Sequence, residues 1–325
     1  MSRRIGIIGA MRETIRHEMT QDDRVFVMGE DVTLAIWGYT RGLVEEFGEE
    51  RVRNTPISEI AFTGAAVGAA ATGMRPIADL MVANFMYTAM DQIANQVAKL
   101  PYMTDGKVKL PLVIVGAAGA AGGNAAQHSD MPVAQYANIS MLKIVCPSTP
   151  EDAAGLMSAA IRDDDPVIFL YPAGLGTRRG RDFVIGESLE IGRARERRNG
   201  SDVTLWAYGL LAERAMAAAA ELEEEGISVE VIDARSLVPL DIDTVLSSID
   251  KTGRLVACDE SRSTASMAAE LIARVCESGL GRFKSAPIRI AAPNVPVPYA
   301  PSMEGYVVPS VDRIVEGCRA AVQSE

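Results

Sequence analysis

The stretch Asn54-Thr55-Pro56-Ile57-Ser58-Glu59-Ile60-Ala61-Phe62-Thr63-Gly64-Ala65-Ala66-Val67-Gly68 constrains this chain more than any other. Pro56 and Ser58 are helix-start residues. From Ile60 to about Gly73 nearly every side chain is apolar or very small, so a helix is predicted with one acid, Glu59, in its first turn. The helix dipole alone favours a carboxylate there. Two features ask for more. The residues after Glu59 have almost no polar surface, so the helix is expected to leave water and take its acid with it. Gly64 and Gly68, four apart, lie on one face and let a second backbone come close. A carboxyl withdrawn from water needs a partner or keeps its proton.

The chain is large enough to bury such a helix. Its 325 residues, 48% of them apolar, predict one large domain or two ordinary ones. A net charge of −11 argues against a nucleic-acid partner, because phosphate binding wants a basic face. Cys146, Cys258, Cys276 and Cys318 are scattered, with no Cys-x-x-Cys, so reduced thiols are expected rather than a structural zinc site. Arg3, Arg4, Arg12 and Arg16 are interleaved with Glu13 and Glu18, unlike a signal or transit segment. The run from Ile60 to Thr72 is shorter than the roughly 20 residues that span a bilayer. A cytoplasmic protein without membrane association is the expectation.

Residues 5–20 read as a helix with Ile7, Ile8, Met11, Ile15 and Met19 on one stripe. A strand at 25–28 ends in Gly29-Glu30-Asp31, and strand ends in open α/β sheets are where ligands collect. Glu30 either caps the next turn or faces a ligand there. Strand 76–82 ends at Ala83-Asn84-Phe85, and a helix is predicted from about Tyr87 with Met90, Ile93, Val97 and Leu100 on its apolar side. The continuous apolar run 112–115 suits a parallel strand covered on both faces. The glycine-alanine segment from Gly116 to Ala126 matches neither phosphate-binding fingerprint and reads as a pliable loop. It delivers Gln127-His128-Ser129-Asp130. His128 is one of only two histidines and sits where a loop follows a strand, a setting in which catalytic groups concentrate. His17 lies within a predicted helix. Asp130 either raises the proton affinity of His128 or points to solvent.

A strand at 143–146 precedes Thr149-Pro150-Glu151-Asp152, a helix start with cap, proline and first-turn acids. Asp163-Asp164-Asp165 then forms a turn before strand 167–170. Residues 172–200 lose apolar periodicity and gather Arg178, Arg179, Arg181, Arg193, Arg195, Arg197 and Arg198. From Asp202 an α/β series resumes, with strands at 203–208, 228–232, 254–258 and 288–291 and helices at 210–225, after Asp241, and at 266–278. The fold class is α/β, with two open, mainly parallel sheets. The division is 1–175, a linker at 176–200, and 201–325.

The Thr55-Pro56-Ile57-Ser58-Glu59 run, Gly29-Glu30-Asp31, Gln127-His128-Ser129 and the closing Asn294–Tyr299 and Pro309-Ser310-Val311 segments resemble the β subunit of the thiamine diphosphate-dependent first component of 2-oxo acid dehydrogenase complexes. That family includes the pyruvate, branched-chain and acetoin enzymes. The resemblance implies a transketolase-like pyrimidine-binding domain followed by a transketolase C-terminal-like domain. It implies that Glu59 shares a proton with the cofactor's aminopyrimidine, that Glu30, Ile57 and Ser58 lie at the cofactor, and that Met81 and Phe85 wall its ring. It sets His128 beside a small 2-oxo acid substrate and the incoming lipoyl group. It also implies a potassium ion at Leu112, Ala160, Ile161, Asp163 and Asp165, held mostly by backbone oxygens. Departures from the family pattern fall at Trp37, Thr88 and Asp130.

The sequence contains no Gly-Asp-Gly, the motif that in this enzyme class grips the magnesium-bound diphosphate. The resemblance therefore implies a separate α subunit that holds magnesium, two α and two β chains, and docking to a lipoyl acyltransferase core. Two alternatives stand beside oxidative decarboxylation: an acetoin dehydrogenase β subunit, and a non-catalytic assembly paralogue that keeps the fold.

Overall fold

The computed structural model describes residues 5–176, 180 and 183–324. Arg178, Arg179 and Arg181, members of the basic linker expected from the sequence, lie outside the described residues. The chain divides into two compact units, residues 1–118 with 135–191, and residues 119–134 with 192–325. The loop 119–134 thus groups with the second half of the chain, which no local signal foretells.

In the first unit the strands are β1 (Val25–Gly29), β2 (Val52–Asn54), β3 (Arg75–Val82), β4 (Val113–Ala118), β5 (Lys143–Val145) and β6 (Val167–Pro172). They run side by side in the order β5-β6-β4-β3-β1-β2, every neighbouring pair parallel. Strands β1, β4 and β6 are buried along their whole length, as a sheet covered on both faces requires. The main helices are α1 (Ile7–Gln21), α2 (Glu59–Ala71) and α3 (Pro150–Arg162). Ile7, Met11, Ile15 and Met19 of α1 are fully buried. α1 also packs a buried acid against α3, where Ser158 Oγ donates to Glu18 at 2.7 Å and Arg162 Nε donates to it at 3.0 Å. Thr149 caps α3 as its sequence predicts, accepting from the Asp152 amide at 3.1 Å. The helix expected from Tyr87 is instead a 3₁₀ turn at Ala83–Tyr87, a π-helix at Gln92–Val97 and a short α-turn at Leu100–Met103. Its apolar stripe still goes inward through Ile93 and Val97. The wide turn is built by the Ala98 amide, which reaches back to Ile93 at 3.0 Å.

In the second unit, β7 (Arg195–Arg198), β8 (Val203–Ala207), β9 (Val229–Asp233), β10 (Leu255–Arg262) and β11 (Ile288–Ala292) are ordered β11-β10-β8-β9-β7. All pairs are parallel except the β7 edge, which runs antiparallel to β9. Arg195–Arg198, read from the sequence as linker, therefore forms a strand. Short of apolar residues, it leaves no periodic signal, and an edge strand tolerates that. Helices α4 (Gly209–Glu224), α5 (Ile242–Thr252), α6 (Met267–Glu277), α7 (Pro301–Val307) and α8 (Val311–Gln323) complete the unit. Side-chain caps from Asp241, Ser266 and Ser310 fix the starts of α5, α6 and α8. No helix among the described residues is long and apolar enough to cross a membrane.

Candidate active site residues

Strands β2, β1 and β3 deliver most of the expected site residues from their carboxyl ends. β1 and β2 are in register with Gly29 opposite Asn54, and the Thr55 amide donates to the Gly29 carbonyl at 2.9 Å. The chain leaving β2 therefore starts beside the end of β1 and enters α2 at Glu59. Glu30 follows β1 directly. Burial, and then the negative charges of Asp31 and Glu59, raise the Glu30 carboxyl above its ordinary value. The two acids are thus near enough to feel each other.

Glu59 is only half-buried in the isolated chain, which corrects the expectation that it leaves water with its helix. The helix withdraws one face alone: Phe62, Thr63, Ala66, Val67 and Ala70 are buried. Ile60, Ala61, Ala65 and Gly68 stay exposed, as does Ile57 at 76%. Ser58 takes the cap position, but its hydroxyl makes no capping hydrogen bond. The first-turn acid therefore stands at the rim of a face made of small and apolar side chains.

Met81 and Phe85, expected to wall a ring, are half-buried where β3 ends. The backbone there is unusual. Met81 takes a left-handed conformation with φ of +56°, and the β3–β4 register shifts between Asp79 and Val82. The Met81 amide donates to Asp79 Oδ1 at 2.8 Å. Asp79 was missed from the sequence as a site-related residue. It is 4% exposed, and burial pushes its carboxyl up to about 6 against the pull of the hydrogen bonds it accepts. The one signal was an aspartate in the middle of an apolar strand. Two buried phenols, Tyr39 and Tyr171, lie nearby with ring centroids 5.7 Å apart. Trp37 sets its edge against Tyr171 at 6.4 Å, so it packs inward, while its neighbours Leu34 and Ile36 face solvent. Thr88 is exposed and donates to the Phe85 carbonyl at 2.7 Å.

His128 is exposed on its loop, and Ser129 beside it is buried. Asp130 is paired with Arg262 from the end of β10. Of the two options that the sequence left open, the pair shows that the carboxylate does not simply point to open solvent.

Of the five residues expected to hold potassium, Ile161, Asp163 and Asp165 meet protein cations. Arg75 donates to the carbonyls of Ile161 and Asp163 at 2.9 and 3.0 Å. Lys143 Nζ reaches the Asp163 carboxylate at 2.7 Å and Asp165 at 3.2 Å. The Leu112 carbonyl accepts the Val167 amide at 3.0 Å. These contacts tie β3, β5 and the end of α3 together. Among the described residues no group of three or more His, Cys, Asp or Glu is arranged to hold a metal.

An acid at a helix start, a second acid beside it and apolar side chains at a strand end fit the pyrimidine end of thiamine diphosphate. Comparison with known proteins gives the family of the chain. The family model for the transketolase pyrimidine binding domain matches residues 4–178, and that for the transketolase C-terminal domain matches residues 192–314. A solved structure titled as a split gene transketolase, inactive beta4 tetramer, shares the fold, with a TM-score of 0.79 at 22% identity over 98% of this chain and 99% of the other. The chain is thus of the two-domain transketolase type.

Its relatives narrow this. It is 42% identical to the acetoin:2,6-dichlorophenolindophenol oxidoreductase subunit beta of Cupriavidus necator, over 99% of both chains. It is 40% identical to the protein of that name from Bacillus subtilis, over 97% of this chain and 96% of the other. It is 43% identical to the pyruvate dehydrogenase E1 component subunit beta of Rhizobium meliloti, over 96% of this chain and 68% of the other. The chain belongs to the family of β subunits of the thiamine diphosphate-dependent acetoin and pyruvate dehydrogenase first components.

Proposed function

We propose that this chain is the pyrimidine-side half of a two-chain 2-oxo acid decarboxylase that passes an acyl group to a lipoyl arm. An α subunit supplies the magnesium and diphosphate side, in an assembly of two α and two β chains that docks on a lipoyl acyltransferase core. The observation that carries this reading is the half-buried Glu59 at the start of α2, rimmed by exposed Ile57, Ile60, Ala61 and Ala65. A face of small and apolar residues around one acid is suited to a partner surface that completes the burial.

Thiamine diphosphate, when bound, supplies the carbon nucleophile and electron sink that the twenty side chains lack. Glu59 holds or accepts a proton at the pyrimidine nitrogen. Ile57 and Ser58 adjoin that contact, and Glu30 adds a second carboxyl near it. Met81 and Phe85 wall the ring and limit water, and Asp79 fixes the Met81 backbone. His128 orients the substrate or moves a proton during acyl transfer to the lipoyl group. Potassium at Leu112, Ala160, Ile161, Asp163 and Asp165 would have to displace Arg75 and Lys143, which already meet two of those carbonyls and both carboxylates.

The acetoin reading is favoured by a specific observation, the match to the Cupriavidus necator acetoin oxidoreductase subunit over 99% of both chains. The chemistry differs mainly in the leaving fragment, an aldehyde in place of carbon dioxide. Against the assembly paralogue, both Glu59 and His128 are retained and accessible. The test is to titrate thiamine diphosphate with magnesium against this chain alone, against its α partner alone, and against the pair. Tight binding only by the pair supports a split pocket. Equal binding by the α partner alone favours the assembly role. Turnover of the pair with pyruvate, branched 2-oxo acids and acetoin then identifies the acyl group.

A further inference from the structure

The loop that carries His128 cannot hold itself. The strand β4 runs to Ala118, so the loop expected from Gly116 begins at Gly119; from there to Ala126 only Asn124 is neither glycine nor alanine, and such side chains offer little to pack while glycine loses the most entropy on ordering. The loop is nevertheless tied down at both ends and in its first half. Its base is closed by the Gly119 amide donating to the Asp130 carbonyl at 2.9 Å. Glu304 of α7 takes the Gly122 amide on one carboxylate oxygen and the Gly123 amide on the other, both at 2.8 Å. Glu260 of β10 takes the Ala120 amide at 2.7 Å. The Arg262–Asp130 pair holds the far end.

We propose that Glu260 and Glu304 are positioning residues that fix the His128 loop by its backbone. Their carboxylates stand in for the side chains that the loop lacks. Gly119, Gly122 and Gly123 have φ of +80°, +83° and +102°, and left-handed glycines in a turn direct successive amides into a concavity that suits an anion. Glu304 fills that concavity while only 8% exposed, and Glu260 is 9% exposed. Ala120, 6% exposed, joins the apolar core of the unit with Leu211, Val297 and Val307. The fit is close: a Cβ on Gly119 would meet a Glu260 carboxylate oxygen at 2.5 Å.

Two acids so far from water are costly unless they are hydrogen-bonded, and the loop amides are the bonds they have. Charge-assisted bonds of this kind are about twice as strong as neutral ones. Glu260 is the labile member. Burial pushes it up to about 7; the Ala120 amide and Arg214 of α4 oppose this, and Asp259 and Glu304 add to it. The clasp stands on geometry within this chain. Its effect on turnover rests on the proposed role of His128 in acyl transfer.

The experiment is amide hydrogen exchange of the full chain, wild type against Glu304→Ala, Glu304→Gln, Glu260→Ala and Glu260→Gln. The alanine variants are expected to speed exchange at residues 120–123 at least tenfold. Strands β8 and β10 should be unchanged, and glutamine at 304 should restore part of the protection because its oxygen still accepts. Unchanged loop exchange in a folded alanine variant overturns the proposal. If the alanine variants do not fold, pH decides it. After correction for intrinsic rates, wild-type protection at Ala120 should fall as pH drops through about 7, and Glu260→Gln should be flat. Identical profiles overturn the proposal. With the α partner present, Glu304→Ala should lower kcat for lipoyl acylation with KM for the 2-oxo acid unchanged. Faster loop exchange with full kcat leaves the clasp standing and removes His128 from the reaction.

Discussion

The start of α2 and the His128 loop hold their key side chains by opposite means. Glu59 is placed by local rules: a proline and serine before a helix, small residues after it, and a strand end hydrogen-bonded beside it. His128 is placed from a distance. Its loop is bound by Glu260, Arg262 and Glu304, which lie 132 to 182 residues away along the chain. The first arrangement rests on neighbours in sequence, while the second rests on tethers from elsewhere in the chain. The acid sits at the start of a regular helix, and the histidine sits on a loop held by distant side chains.

The largest expected effect separates the two regions. Glu59→Ala in the reconstituted complex should lower overall turnover by about 10²–10⁴-fold, the usual weight of a positioned acid–base group. The melting temperature should barely move, since the carboxylate is half-exposed and uncapped. Loss of stability with retained turnover would make Glu59 a helix-start residue and nothing more. Next, His128→Asn should lower acyl transfer to lipoyl by about 10²-fold. Decarboxylation read with an artificial electron acceptor should stay near wild type. An equal loss in both assays would assign the histidine to the first step.

Smaller effects test the supports. Asp79 and Glu260 both bind protons more tightly folded than unfolded, so their contribution favours the fold at low pH and is lost as pH rises. The window runs from about 3.8 to about 6 for Asp79 and from about 4.5 to about 7 for Glu260. For Glu260 the full span corresponds to roughly 3 kcal/mol. Unfolding by urea at pH 5 and pH 8 should show this loss in the wild type and less of it in Glu260→Gln. A Glu260→Gln variant with the same pH slope as the wild type would contradict it. Smallest is Thr149→Ala, which removes the α3 cap and should cost about 1 kcal/mol by the same unfolding measurement, with turnover unaffected.

Much of the fold was legible because its strands are continuous apolar runs and its helices start with capping residues. Thr149 and Asp241 do what their positions suggest. Strand β7 was not legible, because an arginine-rich edge strand has no apolar period. The residues around Glu59 could be read from one short stretch, but its half-burial could not, since the helix withdraws only its Phe62, Thr63, Ala66, Val67 and Ala70 face. Asp79 announced itself only as an acid inside an apolar strand. Glu260 and Glu304 could not have been found locally, because each acts on backbone amides far away in sequence. The pairing of Asp130 with Arg262, 132 residues on, could not be read from the residues around His128.

The central claim is that Glu59 shares a proton with a cofactor whose other end is held by a sister chain. It is tested most directly by proton exchange at the thiazolium carbon of thiamine diphosphate in the reconstituted pair, wild type against Glu59→Gln. The account predicts a fall in the exchange rate of at least about 10²-fold with cofactor still bound. An exchange rate equal to the wild type's would contradict it.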